Sequence, residues 1–170
     1  EDADGNIWLG HKNGDIIRLK GNKFEKVNIE NIDFNSQVTS IVEGKASQIW
    51  ISSLGSGALK LENTNADSVS GIEHEHYTGK EGLSDQVSYI AKRSDGSLYF
   101  ILKVGIKKYF PKTNSFKFFE PEGFSNFSQI TSMYESKNKD LWFGSWTNGL
   151  QHFDSDSNKM EVIFKRDGLA

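Results

Sequence analysis

No cysteine occurs among the 170 residues, which excludes disulfides, thiolate zinc sites and cysteine nucleophiles. The absence fixes no compartment, although it suits an oxidising one. An excess of positive charge is missing as well. Lys and Arg number 20 against 23 Asp and Glu, for a net charge of −3, and a phosphate-tracking nucleic-acid binder would be basic with clustered Lys and Arg. Long apolar runs are lacking: the longest is the five residues 98–102, too short to cross a bilayer. The opening residues Glu1-Asp2-Ala3-Asp4-Gly5 have neither the basic start nor the apolar stretch of a signal peptide. Long Ala/Leu/Glu periodic stretches are few, whereas Gly (16), Phe (12), Tyr (5) and Trp (4) are plentiful. That balance tilts away from helix. The length fits one domain, or a piece of one, with room for a real core.

What is present repeats. An apolar pair around an aromatic recurs as Ile7-Trp8-Leu9-Gly10, Ile49-Trp50-Ile51-Ser52, Leu98-Tyr99-Phe100-Ile101 and Leu141-Trp142-Phe143-Gly144, in steps of 42, 49 and 43 residues. A glycine follows each aromatic by six or seven positions (Gly14, Gly57, Gly105, Gly149). An apolar residue follows by ten or eleven (Leu19, Leu61, Tyr109, Phe153). Upstream of three of these anchors stands a second signature: Gln37-Val38-Thr39-Ser40-Ile41, Gln86-Val87-Ser88-Tyr89-Ile90 and Gln129-Ile130-Thr131-Ser132-Met133. Its steps, 49 and 43, keep the same register.

Each unit predicts four short strands, a to d, which in the second unit fall at 38–42, 49–53, 58–62 and about 72–77. Asp4-Gly5, Lys20-Gly21-Asn22, Asp95-Gly96 and Lys112-Thr113-Asn114 supply the turns. Strand b is apolar at consecutive positions, which implies burial on both faces between like sheets. Units of 40–50 residues with four strands describe propeller blades. The predicted fold is all-β, about four blades of up to four antiparallel strands, a piece of a larger propeller. The units run approximately over 1–36, 37–85, 86–128 and 129–170. The first opens at the turn before strand b, without a strand a. The closing Lys165-Arg166-Asp167-Gly168-Leu169 is similar to Lys80-Glu81-Gly82-Leu83, which precedes a strand a.

Asp4-Gly5-Asn6-Ile7-Trp8-Leu9-Gly10, Asn148-Gly149-Leu150, Asp167-Gly168-Leu169 and the Gln-Val-x-x-Ile strand together resemble the two-component regulator propeller repeat. The resemblance implies the periplasmic sensor region of a hybrid two-component system, common in gut Bacteroidetes and anchored in the inner membrane. In that family two propellers usually precede an immunoglobulin-like domain, a membrane helix, a histidine kinase and a response regulator. The family's ligands are mostly oligosaccharides. Two departures stand out. Tyr99 replaces Trp in the third unit, and about six residues are inserted around 63–71 in the second.

Trp8, Trp50, Tyr99 and Trp142 hold one repeat position and read as interblade filler rather than a sugar platform. Trp146 lies outside that register, in a b–c loop with Ser145, Thr147 and Asn148. The equivalent loops hold His11-Lys12-Asn13, Leu54-Gly55-Ser56 and Lys103. Because strand direction alternates, the b–c loops and the d–a connections (33–36, 84–85 and 125–128) emerge on one face, where rigid scaffolds carry ligand sites. The candidate ligand-binding residues are therefore Trp146, Asn148, His11, Lys12, Asn13, Lys103 and Asp85. For Trp146, stacking against a sugar and packing beneath a loop both remain open. His74-Glu75-His76 has the residue types of a metal pair on one strand face. Without a third or fourth ligand it reads instead as a polar edge guarding against strand pairing. Lys107-Lys108 and the run 135–140 read as solvated charges. Gly55-Ser56-Gly57 precedes a strand, so it is no nucleotide loop.

No catalytic set, cofactor or metal is expected. Two kinds of propeller enzyme are the alternatives. Sialidase-like propellers need converging arginines, but Arg18, Arg93 and Arg166 are assigned to strand c, an a–b hairpin and strand d. Streptogramin-lyase-like propellers use a His with a divalent metal, and of the four histidines only His11 lies on the loop face. A purely protein-binding propeller is the third reading. The expected partners are an oligosaccharide or other small ligand and the rest of a parent sensor, with no nucleic acid and no direct membrane contact. End blades present aromatics made to meet a neighbour, each worth about 1.5–3 kcal/mol when buried. Self-association of the chain through those blades is therefore expected. Light scattering at low micromolar concentration should report a dimer, and a clean monomer would overturn this.

Overall fold

The structure, a computed structural model, describes residues 1–29, 31–45, 47–70, 72–122, 127 and 129–168. Its strands form four antiparallel sheets. The first holds β1 (Ile7–Gly10), β2 (Ile16–Lys20) and β3 (Lys23–Lys26). The second holds β4 (Val38–Glu43), β5 (Ile49–Ser53), β6 (Ala58–Leu61) and β7 (His74–Tyr77). The third holds β8 (Val87–Lys92), β9 (Leu98–Leu102), β10 (Ile106–Phe110) and β11 (Ser115–Phe118). The fourth holds β12 (Ile130–Glu135), β13 (Leu141–Ser145), β14 (Leu150–Asp154) and β15 (Lys159–Ile163). Strands follow chain order within every sheet. A single 3-10 turn, Lys165–Asp167, closes the described chain, so Arg166 sits beyond the last strand and not on strand d. Of the connection at 125–128 only Phe127 is described, and the closing motif is described through Gly168.

The two repeat signatures have direct structural causes. In the Gln-led strand, register slips at Val38/Ser40, Val87/Tyr89 and Ile130/Ser132. Thr39, Ser88 and Thr131 are thus the extra residues of three equivalent β-bulges. Their hydroxyls suit the site: Thr39 Oγ1 donates to the Val87 carbonyl at 2.9 Å, across to the next sheet, and Thr131 Oγ1 to the Gly144 carbonyl at 3.2 Å. The repeat glycines Gly14, Gly57 and Gly149 have φ of 89°, 69° and 69°. A Cβ there would lie 2.1–2.4 Å from the carbonyl oxygens of Phe34, Tyr77 and Ile163, so only glycine fits.

The sheets stack in chain order through their inner strands, β1 on β4, β4 on β8 and β8 on β12. Three apolar cores fill the three gaps. Trp8 packs with Ile49, Ile51, Leu59 and Leu61 of the second sheet. Trp50 packs with Leu98, Phe100, Leu102 and Tyr109 of the third. Tyr99 packs with Ile130, Leu141, Phe143 and Phe153 of the fourth. Trp142 occupies the same place in the fourth sheet, faces away from the third and is only half-buried. Burial of strand b on both faces therefore holds for β5 and β9, which are buried throughout. It does not hold for β1 and β13, which have a neighbouring sheet on one side.

The insertion at 63–71, described except for residue 71, folds back over the first sheet. Arg18 is fully buried beneath it. Its guanidinium donates to the carbonyls of Thr64 and Ala66 at 2.8 Å each and pairs with Glu25 at 2.6 Å. Hydrogen bonds from Lys23 and Arg18 hold the Glu25 carboxyl down to about 2. The extra residues thus supply the acceptors that a buried guanidinium requires.

Trp50 is 1% exposed and contacts four rings, among them Tyr77 (stacked, 5.3 Å) and Tyr109 (edge-on, 4.7 Å). Trp50→Ala should therefore destabilise the chain by about 3–5 kcal/mol. Urea unfolding followed by circular dichroism checks this; a loss below about 1 kcal/mol would mean that the core between the second and third sheets is not closed as described.

Candidate functional site

The face carrying the b–c loops is built by backbone stitching. Each such loop is bonded to the chain that leads into a strand a. The His11 carbonyl accepts from Val38 N–H at 3.2 Å, the Asp85 carbonyl from Gly55 and Gly57 at 2.8 and 2.9 Å, the Phe127 carbonyl from Gly105 at 3.2 Å, and the Gln129 carbonyl from Trp146 at 3.2 Å. The loops are anchored, and their side chains project from a fixed frame.

The predicted residues fall in three places on this frame. On the fourth sheet Trp146 is 81% exposed. Its loop is closed by Ser145, whose hydroxyl accepts from Asn148 N–H at 2.7 Å and donates to the Gly149 carbonyl at 3.1 Å. The indole is therefore presented to solvent rather than packed under the loop. Between the second and third sheets, Asp85 and Lys103 come together in a depression of about 430 Å³ with Val104, Lys107 and Phe118. The Asp85 carboxylate accepts from Gly79 N–H at 3.0 Å. On the first sheet His11 and Asn13 satisfy each other, Nδ1 to Oδ1 at 2.7 Å, and Asn13 also donates to Asp15 at 3.2 Å. Lys12 beside them is exposed. Two whole sheets separate the His11 loop from the Trp146 loop.

The histidine pair on β7 is occupied structurally. His76 Nε2 lies 2.6 Å from the Ser56 carbonyl, and its ring meets Phe34 edge-on. Among the described residues no group of three His, Cys, Asp or Glu is placed to hold a metal ion. Arg18 is buried in the first sheet, Arg93 binds Glu135 at 3.0 Å, and Arg166 lies beyond β15.

The charges at 107–108 and 135–140 are not merely solvated. Lys107 donates to the carbonyls of Gly82 and Leu83 at 2.8 and 2.9 Å, and burial lowers its pKa. Glu135 receives Arg93 and the Ser94 N–H at 2.6 Å. These pairs lie 41–42 residues apart in sequence, beyond what local reading reaches.

A repeat-encoded row of charges also escaped the sequence reading. Each strand-b aromatic stands opposite a basic residue on strand c: Trp8 and Arg18, Trp50 and Lys60, Tyr99 and Lys108, Trp142 and His152. In three sheets the next position across is acidic: Glu25, Glu75 and Glu161. Arg18–Glu25 and Lys60–Glu75 are ion pairs, and His152–Glu161 is one when the imidazole is protonated. In the third sheet the acid is replaced by Lys117. The visible signal was a basic residue nine or ten positions after each aromatic.

A cavity of about 770 Å³ lies on the opposite side of the molecule from the b–c loops. It is bounded by the β4–β5, β8–β9 and β10–β11 turns and reaches round the lower edge of the third sheet. Both Tyr109, from the core facing the second sheet, and Lys108, opposite Tyr99 on the other face, line it.

Residues 125–147 match the two component regulator propeller. This stretch contains β12, β13 and the Trp146 loop as far as Thr147. No curated protein matches the chain. Among solved structures, the extracellular domain of the hybrid two component system BT4673 from B. thetaiotaomicron superposes with a TM-score of 0.75 at 20% identity. The match covers 96% of this chain and 23% of that one. The extracellular domain of BT3049 from the same organism gives 0.69 at 18% identity, over 94% and 22%. PorZ, a surface component of the type-IX secretion system of Porphyromonas gingivalis, gives 0.72 at 13% identity, over 96% and 26%. The chain thus spans about a quarter of the length of these structures. At such identities the likeness carries the propeller fold, and the four sheets are blades of that fold.

His152 offers a test of the charge row. Its Nδ1 lies 2.8 Å from Glu161 and its Nε2 3.1 Å from Asp140, and its ring stacks on Trp142 at 4.1 Å. Burial works against the charged ring, but the hydrogen bonds of Glu161 and Asp140 outweigh it and raise the pKa. The stabilisation is complete below the unfolded value of about 6.5 and is lost as pH rises through the higher folded value. His152→Gln should cost more stability near pH 5.5 than near pH 9 in urea unfolding; an equal cost at both would show that the imidazolium pairs contribute nothing.

Proposed function

We propose that the chain is an extracytoplasmic ligand-sensing segment of a hybrid two-component sensor, and that its b–c loop face binds an oligosaccharide. The observation that carries this reading is Trp146. It is the most exposed large apolar side chain described; with Ser145 and Thr147 it lies within the stretch that matches the regulator repeat, and Asn148 follows directly. An exposed indole stacks against the apolar face of a sugar ring, while neighbouring hydroxyl and amide groups take its hydroxyls. The backbone bond from Trp146 to the Gln129 carbonyl anchors the loop before ligand arrives, which lowers the ordering cost of binding.

In this reading the segment binds and does not catalyse. Its signal is a ligand-dependent change in the array that biases an attached kinase across the inner membrane, so the ligand must bind one signalling state more tightly than the other. The support comes from the fold, the regulator repeat and the extracellular placement of the BT4673 and BT3049 domains that the chain resembles.

Binding of neutral oligosaccharides to the chain, measured by calorimetry, tests this directly. Trp146→Ala should weaken the productive sugar by about tenfold and shift stability by no more than about 0.5 kcal/mol, as expected of an exposed side chain. A sugar bound equally well by the variant would remove the loop face from the reading.

A further inference from the structure

We infer that the cleft at the lower edge of the third sheet is a second ligand site, which takes a small multivalent oxyanion bearing two or more sulfate, phosphate or carboxylate groups. It lies on the face opposite Trp146 and does not depend on the function proposed above.

The inference starts from the broken charge row. In the first, second and fourth sheets the strand-c base is answered by a carboxylate on strand d. In the third, Lys108 faces Lys117, and like charges directly opposite in a sheet repel. Neither has an ion-pair partner among the described residues, and nor do Lys45 and Lys112, which reach the same cleft. Four ammonium groups without a direct ion pair among the described residues therefore line one cavity of a chain whose net charge is −3. One carboxylate, Asp95, shares the lining; its Oδ1 is engaged by Ser97 N–H at 2.8 Å, and its charge interacts with Lys108 without a direct ion pair. Lys60 is not part of the set, because Glu62 and Glu75 both hold it.

The cavity has the volume of a small-molecule site and an aromatic lining. Lys108 extends over the rings of Tyr99 and Phe110 at 5.5 and 5.9 Å, and Lys117 over Phe110 at 5.4 Å. The ammonium groups themselves lie over these ring faces, which holds the lysines at the cleft. The opening has a local cause. Asp2 accepts the indole N–H of Trp8 at 2.7 Å, whereas Gly44 holds the equivalent place before Trp50, where a Cβ would lie 3.0 Å from the indole nitrogen. With no side chain at residue 44, Trp50 contributes to the cleft wall. Lysines are compact point charges without the planar fork of arginine. Several of them around an aromatic-walled cleft suit spaced anionic groups on one molecule better than a single carboxylate.

Calorimetric titration of the chain with inorganic pyrophosphate and, separately, with a disulfated disaccharide tests the site, with the unsulfated disaccharide as control. At least one charged probe should bind saturably at one site per chain, more weakly as salt is raised. Pyrophosphate alone would assign phosphate chemistry and the disulfated sugar alone sulfate esters. Lys117→Glu restores the carboxylate found in the other three sheets. It should weaken binding by about tenfold or more with the thermal midpoint unchanged or raised. Lys108→Gln should weaken it similarly, and Trp146→Ala should leave it unaltered. Absence of saturable binding by either charged probe at millimolar concentration, or undiminished binding by both lysine variants, would overturn the inference.

Discussion

The fold depends on one repeated contact, a bulky aromatic on strand b pressed into the b strand of the next sheet. Facing sheets pack about 10 Å apart, a gap that a Trp or Tyr fills with the apolar rows opposite it. Trp8, Trp50 and Tyr99 do this in succession. Each sheet is thereby positioned by its predecessor, and the loops on its rim inherit that position. The bulges at Thr39, Ser88 and Thr131 and the positive-φ glycines are the local adjustments that let the backbones approach. Trp142, half-buried on the fourth sheet beside the 66% exposed Tyr134, shows the same device with no described sheet against it.

Behind each aromatic runs a row of charge. A basic group beside an indole or phenol ring gains from the ring's electron-rich face, and a strand-d carboxylate then completes the pair. The geometry repeats while the chemistry varies. Arg18 is sealed under an insertion that offers it carbonyls. Lys60 is held by two carboxylates, whose hydrogen bonds raise its pKa against the effect of burial. His152 is held by two acids, which raise its pKa against the effect of burial. Only the third sheet leaves the row without a carboxylate on strand d, and its lysines open on a cavity of about 770 Å³. A repeated scaffold makes such a departure informative, since the other three copies show what the position holds when it serves only the fold.

Two regions of the molecule therefore have different characters. The b–c loop face is uneven, with an exposed indole on one blade, an acid–lysine depression between two others and a self-satisfied His–Asn turn on the first. The opposite edge is dominated by lysine. Anchored loops and a rigid stack allow both to be held without large motion of the frame.

The sequence alone determined the strand order, the repeat length and the identity of the interblade aromatics. Those follow from side-chain alternation, turn residues and period, which are local and recur every 42 to 49 residues. It also singled out Trp146, because that residue departs from the repeat. It could not separate the middle sheets from the outer ones, since Trp142 and Trp50 look alike until their neighbours are known. It also grouped His11, Lys12 and Asn13 with Trp146 on one face, although two sheets lie between them. The Arg93–Glu135 pair, the burial of Arg18 by residues more than forty positions away and the convergence of Lys45, Lys108, Lys112 and Lys117 were decided only in three dimensions. Each joins side chains from separate turns or sheets, and the electrostatic energy depends on distances that no period along the chain encodes.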